Sequence, residues 1–386
     1  MALSIIQTPA LVSLAQSPII LTVSESADVI TSSSFQYVGE LYYWTGSTTN
    51  SSSLADYTIT KYPNTSNVGI FDLNRIINST LTSLSQAVSS SVTYFAVDFY
   101  NQWLSGSTFV TGSHTRSSTY KALDGYAIFQ EPIGENVYDK TPHWPLMTDG
   151  PVTQSVLDTN WGTLGVYVGD AGTTQPNRVY YSSSLQSTYI TISGGTASNE
   201  QIVRVPFSPS QNGFPLSGSI DMYSIQAYND STALGLPLNF EVVCNEKYPN
   251  IRIKWKNRYG QFDWLNFNMV NRQSFSTERK TYQPQLGSWE GRTLSYQDYD
   301  SANLAYIVDS KQSISVNSNW LPETYNEILK QLLVSDEIYW VQNEATNSVM
   351  PITITTQNIV FKTGVVDKLI QYQFDFNLGQ PYKLIM

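Results

Sequence analysis

A hydrophobic alternation of period two returns along this chain and constrains its fold more than any other feature. Phe35, Tyr37, Gly39, Leu41 and Tyr43 share one face of the run Ser34 to Trp44. Leu164, Val166 and Val168 repeat the pattern, and near the end Ile370, Tyr372, Phe374, Phe376 and Leu378 alternate with polar residues. In the run to Phe207, the set Val203, Val205 and Phe207 is expected to be the buried one, with Ile202, Arg204 and Pro206 opposite. Successive strand side chains point to opposite faces, so these runs predict half-buried strands. Turn dipeptides such as Gly-Ser, Pro-Asn, Gly-Asp and Gly-Gly separate them at short intervals. Many short strands punctuated in this way predict an all-β chain of two or three sandwich domains. The 26 Tyr and 9 Trp agree, because aromatic rings suit a pleated, half-buried surface.

Helix is expected in two short stretches. One runs from Asp72, a suitable N-cap, to about Leu84, with Leu73, Ile76, Ile77, Leu81 and Leu84 on one face. The other runs from Leu321 to about Leu333, with Pro322 in the first turn and Tyr325, Ile328, Leu329, Leu332 and Leu333 as the apolar stripe. Boundaries are expected near residues 126 and 272. They give an N-terminal β-sandwich with one helix over 1–126, a second sandwich over 127–272, and a β-rich domain with the second helix over 273–386. The stretch Gln130 to Gly150 is rich in Pro and Gly and reads as a linker or long loop.

Charge narrows the partners. The 386 residues carry 21 Lys and Arg against 31 Asp and Glu, a net charge of −10. Nucleic-acid binding needs a basic field, so none is expected. No apolar run approaches the ~20 residues that cross a bilayer, so no membrane insertion is expected either. The start, Met1-Ala2-Leu3-Ser4, lacks a basic segment and is broken by Gln7, Pro9 and Pro18, which predicts synthesis in a reducing cytoplasm rather than secretion. The single cysteine, Cys244, sits in the apolar run Phe240 to Val243 and reads as a small core residue.

Sites of chemistry are sparse. His114 and His143 are the only histidines, and both fall in polar stretches that read as exposed loops. Gly287 to Thr293 has neither the spacing nor the lysine of a phosphate loop. Asp298 and Asp300 read as a solvated turn rather than a carboxylate pair. No catalytic residue, cofactor site or metal site is therefore assigned, and the chain is expected not to be an enzyme. Charge clusters in one place: Lys247 to Arg292 holds nine basic and three acidic residues, leaving −16 for the remainder. Within it Arg252, Lys254 and Lys256 share a strand face. With Arg258 they form a candidate interface that is either wet or paired with an acidic partner. Trp255 is expected to be the buried end of a strand, with Asn257, Arg258, Tyr259 and Gly260 as a turn. Gly260 is free to take positive φ there, and Phe262, Trp264 and Phe267 begin the return strand.

The stretch Ile253-Lys254-Trp255-Lys256-Asn257-Arg258-Tyr259-Gly260-Gln261-Phe262-Asp263-Trp264 resembles a segment of tailed-phage structural proteins, especially those of phages of Bacteroidota. There a strand ends in Trp-x-Asn-Arg, an aromatic-Gly turn follows, and Phe-Asp opens a second strand. Phe71-Asp72-Leu73-x-Arg75-Ile76-Ile77 and Tyr325-Asn326-x-Ile328-Leu329-Lys330-x-Leu332-Leu333 are similar to segments of the same group. The resemblance implies a virion protein of the tail, baseplate or fibre attachment, built from immunoglobulin- or fibronectin-like domains. It implies assembly with copies of itself and with other virion proteins, and it carries over no catalytic residue. A carbohydrate-binding or adhesin-like β-protein is the competing expectation. Trp44, Trp103, Trp144, Trp161 and Trp289 lie near polar loops, where exposed rings could stack on a host-surface glycan.

Overall fold

The computed structural model describes residues 3–26, 30, 32, 34–45, 54–81, 92–129, 131, 134–135, 141–169, 175–192, 201–243, 248–343, 346, 348–361 and 369–380. Cys244 and Leu84 lie outside the described residues. Among the described residues strand dominates, and the two α-helices are short. The chain divides into two compact units. Unit 1 comprises Met1–Asn245, Trp255–Asp263 and Thr324–Glu337; unit 2 comprises Glu246–Lys254, Trp264–Glu323 and Ile338–Met386.

Unit 1 holds two sets of strands, which change over between residues 123 and 153. In the first set, Ser4–Gln7, Ile20–Ser24 and Val68–Asp72 form a three-stranded sheet. A larger sheet runs in the order Val12–Leu14, Tyr120–Leu123, Thr93–Ser105, Gln36–Thr45, Tyr57–Lys61. Leu21, Val23 and Phe71 of the smaller sheet share one core with Tyr37, Leu41 and Phe99 of the larger. The expected alternation therefore has its cause: Phe35, Tyr37 and Leu41 are buried, and Tyr43 packs against the same core.

In the second set, a five-stranded sheet runs Thr153–Leu157, Thr232–Val243, Met222–Asn229, Arg178–Ser183, Ser187–Thr191, and Thr163–Val168 pairs with Gln201–Pro206. Tyr181 and Tyr223 of the sheet donate hydroxyl hydrogen bonds to the carbonyls of Pro206 and Phe207. Phe240 stacks on Tyr223 with ring centroids 5.2 Å apart and lies tilted against Phe207 at 5.7 Å. Ile202 is buried along with Val205 and Phe207, while Val203 is only half-buried, so burial here follows no strict alternation.

The helices differ in detail from the expectation. The first, α1, spans Asn74–Thr80 with Leu73 at the N-cap. Asp72 stands one residue earlier, where its Oδ1 accepts from the backbone N–H groups of Asn74 and Ile19. The second, α2, spans Asn326–Val334 and follows a 3-10 turn at Glu323–Tyr325. Leu321 and Pro322 lie outside it, in a short strand paired with Leu369–Ile370, because the chain there finds a strand partner before it turns. Tyr325, Ile328, Leu329 and Leu332 are buried, and Leu333 is half-buried.

Unit 2 is built on a seven-stranded sheet in the order Phe262–Phe267, Ile251–Lys256, Ile338–Asn343, Ser348–Ile354, Gln373–Leu378, Leu304–Asn317, Arg272–Tyr282. The first two strands reach into unit 1 at their adjoining ends. Ile370, Tyr372, Phe374 and Phe376 are buried, and the residues between them are exposed. The last two strands of the order outrun the sheet. Gln373–Leu378 pairs with residues 313–317 only, so residues 304–312 and their partners in 275–282 form a two-stranded arm among the described residues. A small hairpin, Ser288–Glu290 with Thr293–Ser295, lies between the two arm strands in sequence. Every residue of Arg272–Tyr282 is exposed, and Phe275, Tyr282, Trp289, Tyr296, Tyr299 and Tyr306 are each 49% exposed or more.

Candidate functional site

The turn between Ile251–Lys256 and Phe262–Phe267 lies in unit 1 and concentrates the molecule's buried charge. Asn257 shapes it. Its backbone N–H donates to the Gln261 carbonyl at 2.7 Å, and its carbonyl accepts from Gly260 at 3.0 Å. Its Oδ1 accepts from the N–H groups of Tyr259 and Gln261, both at 3.0 Å, and its Nδ2 donates to the Met147 carbonyl. Gly260 has φ +73°, and a Cβ there would lie 1.8 Å from the Asp124 carbonyl oxygen. Only glycine meets both demands. The Tyr126 N–H donates to the Arg258 carbonyl at 2.9 Å, so the turn is docked along residues 124–126.

Arg258 is buried among acids. Its Nε lies 2.6 Å from Asp149 Oδ2 and its NH1 2.9 Å from Glu131 Oε1. Its NH2 donates to the Tyr259 hydroxyl at 2.6 Å, which donates in turn to Asp149 Oδ1 at 2.9 Å. Gln331 of α2 closes the ring: its Nε2 donates to Asp149 Oδ2 at 2.8 Å, and its Oε1 accepts from the Arg258 N–H at 3.2 Å. Burial works against the guanidinium, but Asp149, Tyr259 and Glu131 outweigh it and hold Arg258 more firmly charged than usual. Burial raises the Tyr259 phenol well above its ordinary range, and Asp149 adds to the rise.

Two further groups complete the knot. Lys256 Nζ lies 2.8 Å from Asp124 and 3.5 Å from both Asp336 and Glu337. Burial opposes its charge, but the Asp124 hydrogen bond and the three acids raise its pKa. Asp263 is 5% exposed and accepts from the Thr148 hydroxyl at 2.7 Å. Burial pushes its carboxyl up to about 7, assisted by the Asp149 charge and resisted by hydrogen bonds from Thr148 and Asn257. Its Oδ2 is buried without a hydrogen-bond partner among the described residues, so no donor at that oxygen offsets the cost of burying a charge there.

These placements correct the expected basic strand face. Arg252, Lys256 and Arg258 are buried in their own chain, so the three do not form a solvated face. The Arg252 guanidinium lies 5.3 Å from the Trp264 ring centroid, and Lys254, half-buried, lies 5.8 Å from that of Tyr339. Trp255 is fully buried, Trp264 is 9% exposed and Phe262 is half-buried. His143 is also misplaced by the exposed-loop expectation. It is fully buried, with its ring nitrogens 3.1 and 3.0 Å from the carbonyls of Leu236 and Gly150. His114 is exposed and lies 3.2 Å from Asp98. Asp298 and Asp300 are exposed, and Gly287 to Thr293 forms part of a hairpin. Of the five tryptophans considered for sugar stacking, Trp44, Trp103, Trp144 and Trp161 are half-buried and Trp289 is 62% exposed.

Chemically, the knot holds segments together. Arg258 and Lys256 tie residues 124–131, 147–149 and 331–337 to one turn, and Tyr259 sits in a core with Val12, Leu14, Met147, Tyr167 and Ile202. The acids and Gln331 carry no mark in the sequence, because Asp149 lies 109 residues from Arg258 along the chain, Glu131 127 and Gln331 73. Among the described residues, no three His, Cys, Asp or Glu side chains are grouped to hold a metal ion, and no helix is long and apolar enough to cross a membrane. No protein-family model matches the chain, and no curated protein is similar to it in sequence.

Proposed function

We propose that this chain is a non-enzymatic structural subunit of a virion, a tail-ring, baseplate or fibre-attachment component that acts by protein–protein assembly. The observation that carries the reading is the arm of unit 2. An isolated two-stranded ribbon is marginally stable in water. A ribbon exposing this many aromatic rings presents surface of the kind that association buries. The knot supports the same reading, since Arg258 and Lys256 are occupied in fastening distant segments of their own chain. On this reading the strand sets are immunoglobulin- or fibronectin-like sandwiches, and the chain is made in the host cytoplasm before joining copies of itself and other virion proteins. Mass spectrometry of purified particles of the virus that encodes the chain tests it. Recovery in fixed stoichiometry with other virion proteins is expected. Absence from particles, together with a purified chain that stays monomeric at every concentration, would overturn it.

A further inference from the structure

Arg272–Tyr282 is the last strand of its sheet. Among the described residues it pairs along one edge only, with Leu304–Asn317. It runs eleven residues without proline. The one irregularity of the pairing, where Lys280 faces Ile307 and Thr281 faces Ala305, places the extra residue in the inner strand, so the outer strand is uninterrupted. A long open edge of this kind is a template for another strand. Natural edges are commonly blunted by proline, bulges, short length or charge; this strand is long, free of proline and itself unbulged, and its charges, Arg272, Glu278, Arg279 and Lys280, are of both signs and so can be matched by a partner strand.

The charge pattern points to the occupant. Residues 272–317 carry five Lys or Arg and five Asp or Glu, so this segment is neutral in a chain of net −10. A second copy meets the arm there without net repulsion. Two copies related by a two-fold axis pair antiparallel, and with the axis at Thr277 all eleven residues overlap. Arg272 then faces Tyr282, Ser274 faces Lys280, Phe275 faces Arg279 and Ser276 faces Glu278, each twice, while Thr277 faces itself. No like charges are opposed, two cation–π contacts are available on each side, and the hydroxyls at the axis can hydrogen-bond. Moving the axis one residue back sets Arg272 against Lys280, and one residue forward sets Glu278 against itself. Like charges directly opposite destabilise a strand pair, so this register is selected against both neighbours.

We infer that the outer edge of Arg272–Tyr282 binds the same edge of a second copy of this chain, antiparallel and centred on Thr277. The inference rests on the assembly reading and gives it a partner and a register. The isologous contact makes about ten backbone hydrogen bonds, roughly one per residue of the paired strands.

The test uses the full chain with Cys244 replaced by serine. Thr277→Cys is expected to form a disulfide-linked dimer on mild oxidation. Arg272→Cys is expected not to, since its two copies would stand about 34 Å apart at ~3.4 Å per residue. Thr277→Lys opposes two ammonium groups on an exposed position and should weaken dimerisation about tenfold or more in analytical ultracentrifugation, with an unchanged melting curve. Equal cross-linking through both cysteines, or a Thr277→Lys variant that dimerises as wild type does, overturns the register. A chain that never cross-links through position 277 yet is present in particles overturns the edge contact and leaves the assembly reading standing. A chain that cross-links through 277 but is absent from particles does the reverse.

Discussion

Replacing Asp263 with asparagine tests the charge knot most directly, because it removes one titration while keeping the shape of the side chain. In the folded protein burial holds the Asp263 carboxyl up to about 7, against an ordinary value of 3.8. The folded state therefore binds this proton more tightly than the unfolded chain does. Its contribution to stability is complete below about pH 4 and is lost progressively until about pH 7. At about 1.4 kcal/mol per pH unit, the rise from 3.8 to about 7 corresponds to a loss of about 4 kcal/mol across that window. The amide of the Asp263→Asn variant cannot ionise and still offers an oxygen to Thr148. Urea unfolding of both proteins at half-unit steps from pH 4 to pH 8 gives the readout. Other carboxylates titrate in both proteins, so the difference between the two curves isolates this group. Wild type should lose about 4 kcal/mol relative to the variant as pH rises, on top of any constant offset from the new amide. Parallel curves would show that Asp263 is ionised in the folded state at low pH, and the account of the knot would fail.

Three further outcomes follow from the same region. Gly260→Ala should cost about 2 kcal/mol or more in denaturant unfolding, since alanine disfavours φ +73° and its Cβ would strike the Asp124 carbonyl; a change below about 0.5 kcal/mol, typical of surface sites, would contradict this. Arg258→Ala should cost about 2 kcal/mol or more, because it strands the half-buried acids Asp149 and Glu131 without their cation; a melting curve shifted no more than by a surface change would count against the pairing. Trp255→Ala should cost about 3–5 kcal/mol through lost burial and a residual cavity, again read by denaturant unfolding.

Much of the strand architecture was legible because alternation is a local property. Phe374 and Phe376 could be placed inside and Asp375 outside from period alone, and the structure places them so. The turn at Gly260 was legible for the same reason: an aromatic-Gly turn between two alternating runs has few geometries. The burial of Lys256 and Arg258 was not legible. Period two says that Arg252, Lys254 and Lys256 share a face and is silent on what covers it. The cover includes Asp124, Asp336 and Tyr339, which no spacing connects to the strand. Asp72 and Pro322 failed differently. Each suits the start of a helix, but Asp72 acts from one residue further out and Pro322 was claimed by a strand pairing with Leu369. His143 read as exposed because it falls in the Pro- and Gly-rich stretch Gln130 to Gly150, which reads as a loop, while the carbonyls it meets belong to Leu236 and Gly150.

The interleaving of the two units sets an order on synthesis. The chain passes between them five times, and unit 1 acquires its last segment only with Glu337. Asp149 leaves the ribosome 182 residues before Gln331 does. At about 5–20 residues per second that interval lasts on the order of ten seconds or more. Until the turn arrives, Asp149 and Glu131 remain hydrated acids, and the core around Tyr259 lacks its central ring. Unit 1 cannot complete vectorially from its N-terminus. The nascent chain must hold two strand sets apart from misassembly until the hairpin turn and then α2 are delivered. Truncation after residue 245 would freeze the protein in that waiting state, with its acids made and the cations that bury them missing.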